Sequence, residues 1–173
     1  MNSHPSSFLL THSGKALLPL LKEILSRNDG TFKVWASPWC PPLWMKKSGA
    51  YASKPQTDPT WPKNDCSPEQ RVREGEDGFL CDDAHFAAYA KYFRKYVDAY
   101  RAEGVPVWMV MPQNEFNSDQ VFPSCTWQAK SLATFVGKYL GPALEGSGTE
   151  LYFGTMERPS LEMARTILDD PAC

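Results

Sequence analysis

The feature that most constrains the fold of this chain is the segment of residues 105–111, which is apolar at nearly every position. Such a continuous apolar run is typical of a β-strand covered on both faces, as in a parallel sheet. Gln113, Asn114 and Glu115 follow it, and functional groups of parallel α/β proteins lie beyond the carboxyl ends of the strands. Asn114 and the acid Glu115 are therefore candidate site residues. On this segment alone, a second interpretation stays open, in which Glu115 only caps the following turn or pairs with an arginine.

The apolar pattern predicts that this strand belongs to an alternation of strands and helices. Residues 32–36 and 150–155 predict two further short strands. Helices are predicted to begin near Ser13, Asp82, Trp127 and Ser160. Their predicted buried faces are Leu17, Leu20, Leu21, Ile24 and Leu25; Phe86, Ala90, Phe93, Val97 and Tyr100; Leu132, Phe135, Val136, Tyr139 and Leu140; and Leu161, Ala164 and Leu168. The order αβαβαβα predicts parallel strands joined by right-handed crossovers, in a doubly wound sheet or in part of a (β/α)8 barrel.

The groups at the three strand ends favour the barrel. Trp39 follows the first strand, Asn114 and Glu115 follow the second, and Glu157 with Arg158 follows the third. A barrel gathers all of these at one face, whereas a nucleotide-binding sheet would show a glycine-rich first turn that this chain lacks. Three strands do not close a barrel, which takes eight strands and roughly 250 residues. The prediction is a partial TIM barrel, with a small flavodoxin-like module as the alternative.

Two segments lie beside the predicted strand ends. Residues 52–82 are rich in proline and charge, and we expect one long loop at the rim of the site. Trp39 and Trp44 stand in a proline-rich segment after the first strand. Their indole faces would suit stacking on sugar rings, but they would equally suit hydrophobic plugs over a barrel mouth.

Composition excludes several classes of function. The net charge is -2, from 18 basic and 20 acidic side chains that are interspersed, so we expect no nucleic-acid partner. The sequence shows no signal peptide and no transmembrane stretch, so the chain as written is expected to be neither exported nor anchored.

The cysteines and histidines predict no metal centre, no cofactor and no Cys-His or Ser-His catalysis, because they show neither zinc-ligand spacing nor a nucleophile beside a base. His85 is expected at the start of a helix without a chemical role. Cys66 and Cys81 bracket part of the long loop, and both a disulfide and two free thiols remain open for them.

Four motifs in register carry a resemblance to a known family. They are residues 36–46, the Gln113-Asn114-Glu115 strand end, residues 140–144 and residues 154–159. Together they resemble glycoside hydrolase family 30, which includes lysosomal glucosylceramidase. The resemblance runs in the family's order from about Gly14 and is weakest over residues 51–82. It implies that residues 1–173 are a fragment of a single barrel domain, with the three strands corresponding to the family's third, fourth and fifth.

The resemblance implies a retaining β-glycosidase without a cofactor. Glu115 would be the general acid/base, and Asn114 would bind the 2-hydroxyl of the sugar. Trp39 would line the glucose subsite, and Glu157 and Phe122 are further candidate substrate contacts. The substrate would be glucosylceramide or another β-glucoside such as a β-glucan, and the parent enzyme would be secreted or lysosomal. A sugar-binding relic without turnover is the alternative in another class.

Two departures from the family pattern stand out. Phe116 occupies the position after the catalytic glutamate where the family usually has proline. The family's nucleophile, a glutamate after the seventh strand, has no counterpart in the chain. Glu157 is rejected for that role, because a retaining site needs carboxyls about 5 to 5.5 Å apart across the glycosidic bond and neighbouring strand ends do not normally provide this. The isolated chain, with the remainder of the barrel missing, is therefore predicted to be inactive and poorly soluble.

Overall fold

A computed structural model describes residues 14–173, so the predicted cap Ser13 and the histidines His4 and His12 lie outside the described residues. The elements are α1 (Leu17–Ser26), β1 (Val34–Ala36), α2 (Asp83–Ala102), β2 (Val107–Val110), α3 (Ala129–Phe135), a π-helical segment (Val136–Leu140), α4 (Gly141–Leu144), β3 (Glu150–Leu151) and α5 (Leu161–Leu168). Short 3₁₀ turns span Leu43–Met45 and Pro68–Gln70. The alternation of strands and helices is as predicted.

The three strands form one parallel sheet in the order β1-β2-β3. Val34 pairs with Val107 across the first ladder, and Met109 pairs with Glu150 across the second. When parallel strands follow one another in sequence order with right-handed crossovers, the connecting helices lie on one face of the sheet. This is the winding of a (β/α)8 barrel, whereas a flavodoxin-like sheet reverses direction and carries helices on both faces. The prediction of a partial barrel is confirmed.

The strands are shorter than their apolar runs. The predicted strand at residues 105–111 is regular over Val107–Val110, and the one at residues 150–155 is regular over Glu150–Leu151. One backbone bond continues beyond β3, from Tyr152 N–H to Val110 O at 3.0 Å. Beyond these short strands the chain leaves the ladder. The segments that follow different strands then hydrogen-bond to one another at the carboxyl end of the sheet.

Helix α2 fixes the centre of the fold. Asp82 is its N-cap, and the Asp82 carboxylate accepts a bond from His85 N–H at 3.0 Å. The predicted face of α2 is buried along its whole length. Its Phe86 and Tyr89 belong to a cluster of fully or almost fully buried aromatic rings that also contains Phe79, Trp127 and Phe135. Phe79 and Trp127 stack with their ring centroids 4.5 Å apart, so the end of the predicted long loop belongs to the core.

The helix that follows β2 begins later than predicted, at Ala129, and widens into a π-helical segment. Pro142 has no N–H to continue the regular α-helical bonding. Just before it, Gly141 N–H bonds to Val136 O, five residues back. The proline thus accounts for the local change of helix type.

The predicted buried faces of the first and last helices are partly wrong. Helix α1 buries Leu18 and leaves Leu17 and Leu20 exposed. Helix α5 buries Ile167 and leaves Leu161 and Leu168 about two-thirds exposed, at 66% and 65%. These helices follow or precede the two outer strands, so each has a neighbour on one side only within the described residues.

The segment at residues 52–82 has little regular structure, and backbone bonds fix it at its end. Lys47 N–H donates to Gly78 O at 2.8 Å, and Leu80 N–H donates to Met45 O at 2.8 Å. Cys66 and Cys81 are both free thiols, which decides between the two alternatives for this pair. Burial raises the pKa of the Cys81 thiol to about 12. None of the helices in the described part of the chain is long and apolar enough to cross a bilayer.

Candidate active site

The segment after β2 is fastened to the segment after β1. The side chain of Gln113 is fully buried, and its Nε2 donates to Trp39 O at 2.8 Å. Asn114 N–H donates to Pro38 O at 2.9 Å. These bonds hold the backbone that carries Trp39 directly against the backbone that carries Asn114.

The segment after β3 is fastened to the same residues from the other side. Thr155 N–H donates to Gln113 O at 3.3 Å, and Thr155 O accepts from Phe116 N–H at 3.0 Å. Its side-chain Oγ1 accepts from Glu115 N–H at 2.8 Å and donates to Asn114 Oδ1 at 3.3 Å. Thr155 thus bonds to four consecutive residues of the neighbouring strand end.

Gly154 allows this close approach. Its φ is 129°, which L-residues rarely adopt, and a Cβ placed there would lie 2.8 Å from Gln113 O. A side chain at position 154 would therefore push the third strand end away from the second. The glycine is required both by its own backbone angle and by its distance from Gln113.

Glu115 itself has a strained backbone and a free side chain. Its φ is 49°, which makes it the one non-glycine residue with positive φ in the part of the chain that the structure describes. A glutamate in this region costs of order 1–3 kcal/mol, and such residues concentrate at functional sites. No hydrogen bond or ion pair to a described residue engages the partly exposed carboxylate. The turn after Glu115 is closed by a bond from Ser118 N–H to the backbone O of Glu115, and the Glu115 side chain takes no part in it. The Glu115 carboxylate also pairs with no arginine among the described residues.

Trp39 and Phe122 form an exposed aromatic pair. Their ring centroids lie 5.3 Å apart at 59°, and the two residues are 51% and 40% exposed. Rings that open to solvent in this way offer faces on which the apolar side of a sugar could stack. Trp44 is also exposed, but its ring lies 5.9 Å from that of His85.

A buried lysine, Lys46, joins its own segment to residues 51–52 and to Ser124. Lys46 is only 4% exposed, and its Nζ donates to Tyr51 O at 2.8 Å, to Ala52 O at 3.4 Å and to Ser124 O at 2.7 Å. The hydroxyls of Ser53 and Ser124 bond to each other at 3.0 Å. Residues 46–53 are thus held to the segment that carries Phe122.

A second set of charges holds the outer rim. The carboxylate of Asp119 is buried and pairs with Arg71 at 2.9 Å and with Lys54 at 3.5 Å. Asn64 Nδ2 donates to Lys54 O and to Val121 O, both at 2.8 Å. The segment at residues 52–82 therefore packs along residues 118–124, next to Phe122.

Glu157 lies at the third strand end, but its charge is already engaged. Its carboxylate pairs with Arg158 at 2.6 Å, and Arg158 also pairs with Glu74. Glu157 N–H donates to Asn117 Oδ1 at 3.0 Å. The free carboxylate of Glu115 and the paired one of Glu157 thus differ clearly in their surroundings.

Sequence reasoning missed two residues that shape the site. Thr155 carried a weak signal, because it follows a glycine at a strand end next to the candidate acid. Lys46 is the last residue of the motif at residues 36–46, but a lysine followed by Lys47 and Ser48 is typical of a solvated surface, so its buried position was not predicted. Within the described residues, no cluster of three or more histidine, cysteine or acidic side chains is arranged to hold a metal ion.

The fold and the strand-end groups together define part of a parallel α/β barrel, with an Asn-Glu pair and aromatic faces at the carboxyl ends of its strands. A family model described as the glycosyl hydrolase family 30 TIM-barrel domain matches residues 50–171. The chain belongs to glycosyl hydrolase family 30.

Curated relatives of two kinds match the chain. "Putative glucosylceramidase 4" of Caenorhabditis elegans is 30% identical over 135 residues, which are 75% of this chain and 22% of the relative. An endo-1,6-beta-D-glucanase of Neurospora crassa is 30% identical over 146 residues, 84% of this chain and 26% of the relative. The lysosomal acid glucosylceramidase of Mus musculus is 25% identical over 164 residues, 91% of this chain and 28% of the relative. The chain thus spans about a quarter of the length of these relatives.

Solved structures show the same fold. The endo-beta1,6-glucanase BT3312 superposes with a TM-score of 0.64 at 26% identity, over 92% of this chain and 33% of that chain. The family 30 subfamily 8 xylanase Xyn30A of Clostridium acetobutylicum gives a TM-score of 0.68 at 20% identity, over 98% of this chain and 38% of that chain. The second similarity shows the fold alone.

Proposed function

We propose that this chain is part of a retaining β-glycosidase that cleaves a β-glucosidic bond, with Glu115 as the general acid/base. The observation that carries the proposal is the free carboxylate of Glu115, held on a strained backbone between two fastened strand ends. In the first step Glu115 donates its proton to the leaving oxygen, and in the second it takes a proton from water. Asn114 binds the 2-hydroxyl of the sugar, and the contact strengthens as the oxocarbenium-like transition state forms.

The aromatic pair supports a sugar as the ligand. The backbone of Trp39 is bonded to Gln113, next to Asn114, and the ring of Phe122 lies against that of Trp39, with both rings open to solvent. Two of the relatives are named for glucoside substrates, one as a putative glucosylceramidase and the other as an endo-1,6-beta-D-glucanase. We therefore propose a β-glucoside as the substrate, with either a lipid or a glucan on the leaving side. Glu157 is the weaker candidate contact, since Arg158 already neutralises it.

The exposed edges of the sheet support a larger barrel. Large apolar side chains are exposed near both outer strands, namely Leu17, Leu20 and Trp35 near β1 and Tyr152, Leu161 and Leu168 near β3. A hollow of about 270 Å³ beside β1 is lined by Trp35, Tyr92 and Tyr96, among others. We propose that further strands and helices of one barrel domain cover these surfaces and supply the nucleophile. On this proposal residues 52–82 form the rim of the complete site.

The cellular compartment follows from the same proposal. The mouse relative is named a lysosomal acid enzyme. We propose that the parent enzyme of this chain works in a secreted or lysosomal compartment.

The proposed role is tested by replacing Glu115 with Gln in the completed barrel, that is, in a protein that contains this chain together with the remaining strands of the barrel. We expect hydrolysis of an alkyl β-glucoside to fall by about 10²–10⁴-fold, because the leaving oxygen needs a proton. A dinitrophenyl β-glucoside, whose leaving group needs none, should lose far less. Glu157→Gln is the matched control, because it removes a carboxylate at the next strand end without removing the proposed acid. Equal losses for both substrates would contradict the assignment.

A non-catalytic sugar-binding protein remains a second candidate, favoured by the open Trp39–Phe122 pair. It predicts that a β-glucoside changes tryptophan fluorescence, that Trp39→Ala abolishes this change, and that the completed barrel shows no turnover. Turnover that depends on Glu115 would exclude it. For the 173-residue chain alone we expect no release of glucose, and a folded monomer that hydrolyses 4-nitrophenyl β-glucoside would refute the need for a further nucleophile.

A further inference from the structure

We propose that Thr155 is a positioning residue of this site, whose hydroxyl fixes both the backbone of Glu115 and the side-chain amide of Asn114. The inference rests on the proposed function for its catalytic meaning, but its geometry stands on the hydrogen bonds of the described residues. Thr155 lies on the neighbouring strand end and touches no reacting atom. It acts through the two residues that do.

The hydroxyl of Thr155 is used in both directions. It accepts from Glu115 N–H at 2.8 Å and donates to Asn114 Oδ1 at 3.3 Å. A hydroxyl has one proton to donate, so these two bonds use its donor and one acceptor position. The same atom therefore links the orientations of the proposed acid and of the proposed sugar-binding amide.

The bond to Asn114 fixes the orientation of its side-chain amide. Because Oδ1 accepts the Thr155 proton, Nδ2 is directed away from Thr155, and no bond to a described residue engages it. An amide fixed in this way directs its two N–H donors away from Thr155. It therefore suits a sugar hydroxyl that accepts a hydrogen bond.

The bond to Glu115 holds a conformation that the residue would not keep by itself. Glu115 has φ of 49°, and its N–H is satisfied by Thr155 Oγ1 and by no strand partner. Loss of that bond would let the backbone relax toward negative φ, which would turn the carboxylate away from its present direction.

Phe116 completes the device. Its N–H donates to Thr155 O at 3.0 Å, a bond that a proline at this position could not make. Its ring is fully buried and lies 6.2 Å from the ring of Phe153. Position 116 thus lacks the stiff ring of a proline. In this chain, hydrogen bonds between the second and third strand ends set the direction of Glu115 instead.

The test compares hydrogen exchange at single amides in the 173-residue chain at low micromolar concentration. Thr155→Val keeps the shape of the side chain and removes the hydroxyl, whereas Thr155→Ser keeps the hydroxyl. The matched control is Thr149→Val, because Thr149 Oγ1 also bonds to backbone, at 2.9 Å from Val107 O, near the start of β3. All three substitutions lie within a few residues of the same strand.

We expect Thr155→Val to speed exchange of the Glu115 amide by about tenfold, the size of one lost hydrogen bond. Thr155→Ser should restore slow exchange, and Thr149→Val should leave the Glu115 amide unchanged. If the valine variant does not fold, Thr155→Ala against Thr155→Ser gives the same comparison. Unchanged exchange in Thr155→Val, or an equal increase in Thr149→Val, would overturn the proposal.

The exchange experiment needs no turnover, so its outcome is independent of whether the chain is part of a glycosidase. In the completed barrel, Thr155→Val should lower kcat for an alkyl β-glucoside by about tenfold, with a smaller effect on a dinitrophenyl glucoside. A loss confined to KM, with kcat unchanged, would show that the hydroxyl serves binding alone.

Discussion

Replacing Lys46 by methionine should loosen the rim of the site while leaving the core intact. The methionine keeps much of the length and apolar character of the side chain but cannot donate a hydrogen bond. Lys46 is 4% exposed, and its two short bonds, to Tyr51 O at 2.8 Å and Ser124 O at 2.7 Å, tie segments far apart in sequence. Their loss removes the charged donor from both carbonyls and leaves Ser124 N–H on Tyr51 O at 3.0 Å and the Ser53 hydroxyl on Ser124 O at 3.1 Å.

The size of the effect follows from these contacts. A hydrogen bond to a charged group contributes about 1.5–3 kcal/mol net, so two give roughly 3–6 kcal/mol. The bond to Ala52 O at 3.4 Å is long and adds little. Part of this loss is offset, because the methionine side chain packs in the rim and water can enter to bond to the carbonyls. The remaining destabilisation is about 2–4 kcal/mol. Since 1.4 kcal/mol is about a factor of ten, local opening of the rim should become roughly 30- to 700-fold more frequent.

Hydrogen exchange resolved by residue measures this opening. Lys54 N–H and Val72 N–H report on the rim, because they bond to Gln120 O and Ser53 O. The control is Lys22→Met, in which the same chemical change removes a half-exposed pair with Glu103. That variant should change stability by at most about 1 kcal/mol. If Lys46→Met leaves the exchange of the rim amides as slow as in the unmodified chain, the reasoning about its carbonyl contacts is refuted.

Three further results are expected. Denaturation without a reductant should expose five reactive thiols to Ellman's reagent, and three would mean that Cys66 and Cys81 are bridged after all. The double substitution Trp35→Lys and Leu161→Lys should raise the soluble fraction of the isolated chain, because both side chains are exposed near the open edges of the sheet. The soluble fraction is measured by sedimentation before and after substitution. No gain would mean that these edges do not drive association. The bond from His85 N–H lowers the pKa of the Asp82 carboxyl below 3.8. The ionised carboxylate therefore stabilises the fold fully above pH 3.8, and this stabilisation is lost as the pH falls through the lowered pKa. Asp82→Ala should flatten this part of the acid-unfolding curve, and an unaltered curve would argue against the role of this bond.

The sequence predicted those parts of the fold that rest on local patterns. The apolar run at residues 105–111 and the spacing from Phe86 to Tyr100 each correspond to one element packed on the centre of the molecule. The faces of α1 and α5 were predicted less well. Periodicity shows which residues of a helix are apolar, but not which of two adjacent apolar stripes faces the available neighbour. Leu18 and Ile167 are the residues of these two helices that belong to the buried core cluster.

The candidate site could be predicted as a set of strand ends but not as a network. Trp39 and Asn114 follow the strands where they were expected, and the Gln113 bond that joins them depends on a tertiary approach of two segments. The contacts of Lys46 and the packing of Phe79 also join residues far apart, through segments without periodicity. Such contacts leave no pattern in the sequence, because they depend on the path of the chain in three dimensions.

The lysine that fixes the rim also sets an order of assembly. Lys46 and Ser124 lie 78 residues apart in sequence, so their bond cannot form during synthesis until α2, β2 and the following turn have left the ribosome. Before that point, the proline-rich rim lacks its hydrogen-bond partners at residues 120–124 and remains an open loop. The segment that follows Trp39 can therefore be joined to the segment that carries Phe122 only after Ser124 has emerged, at the stage when Trp127 of the core also becomes available.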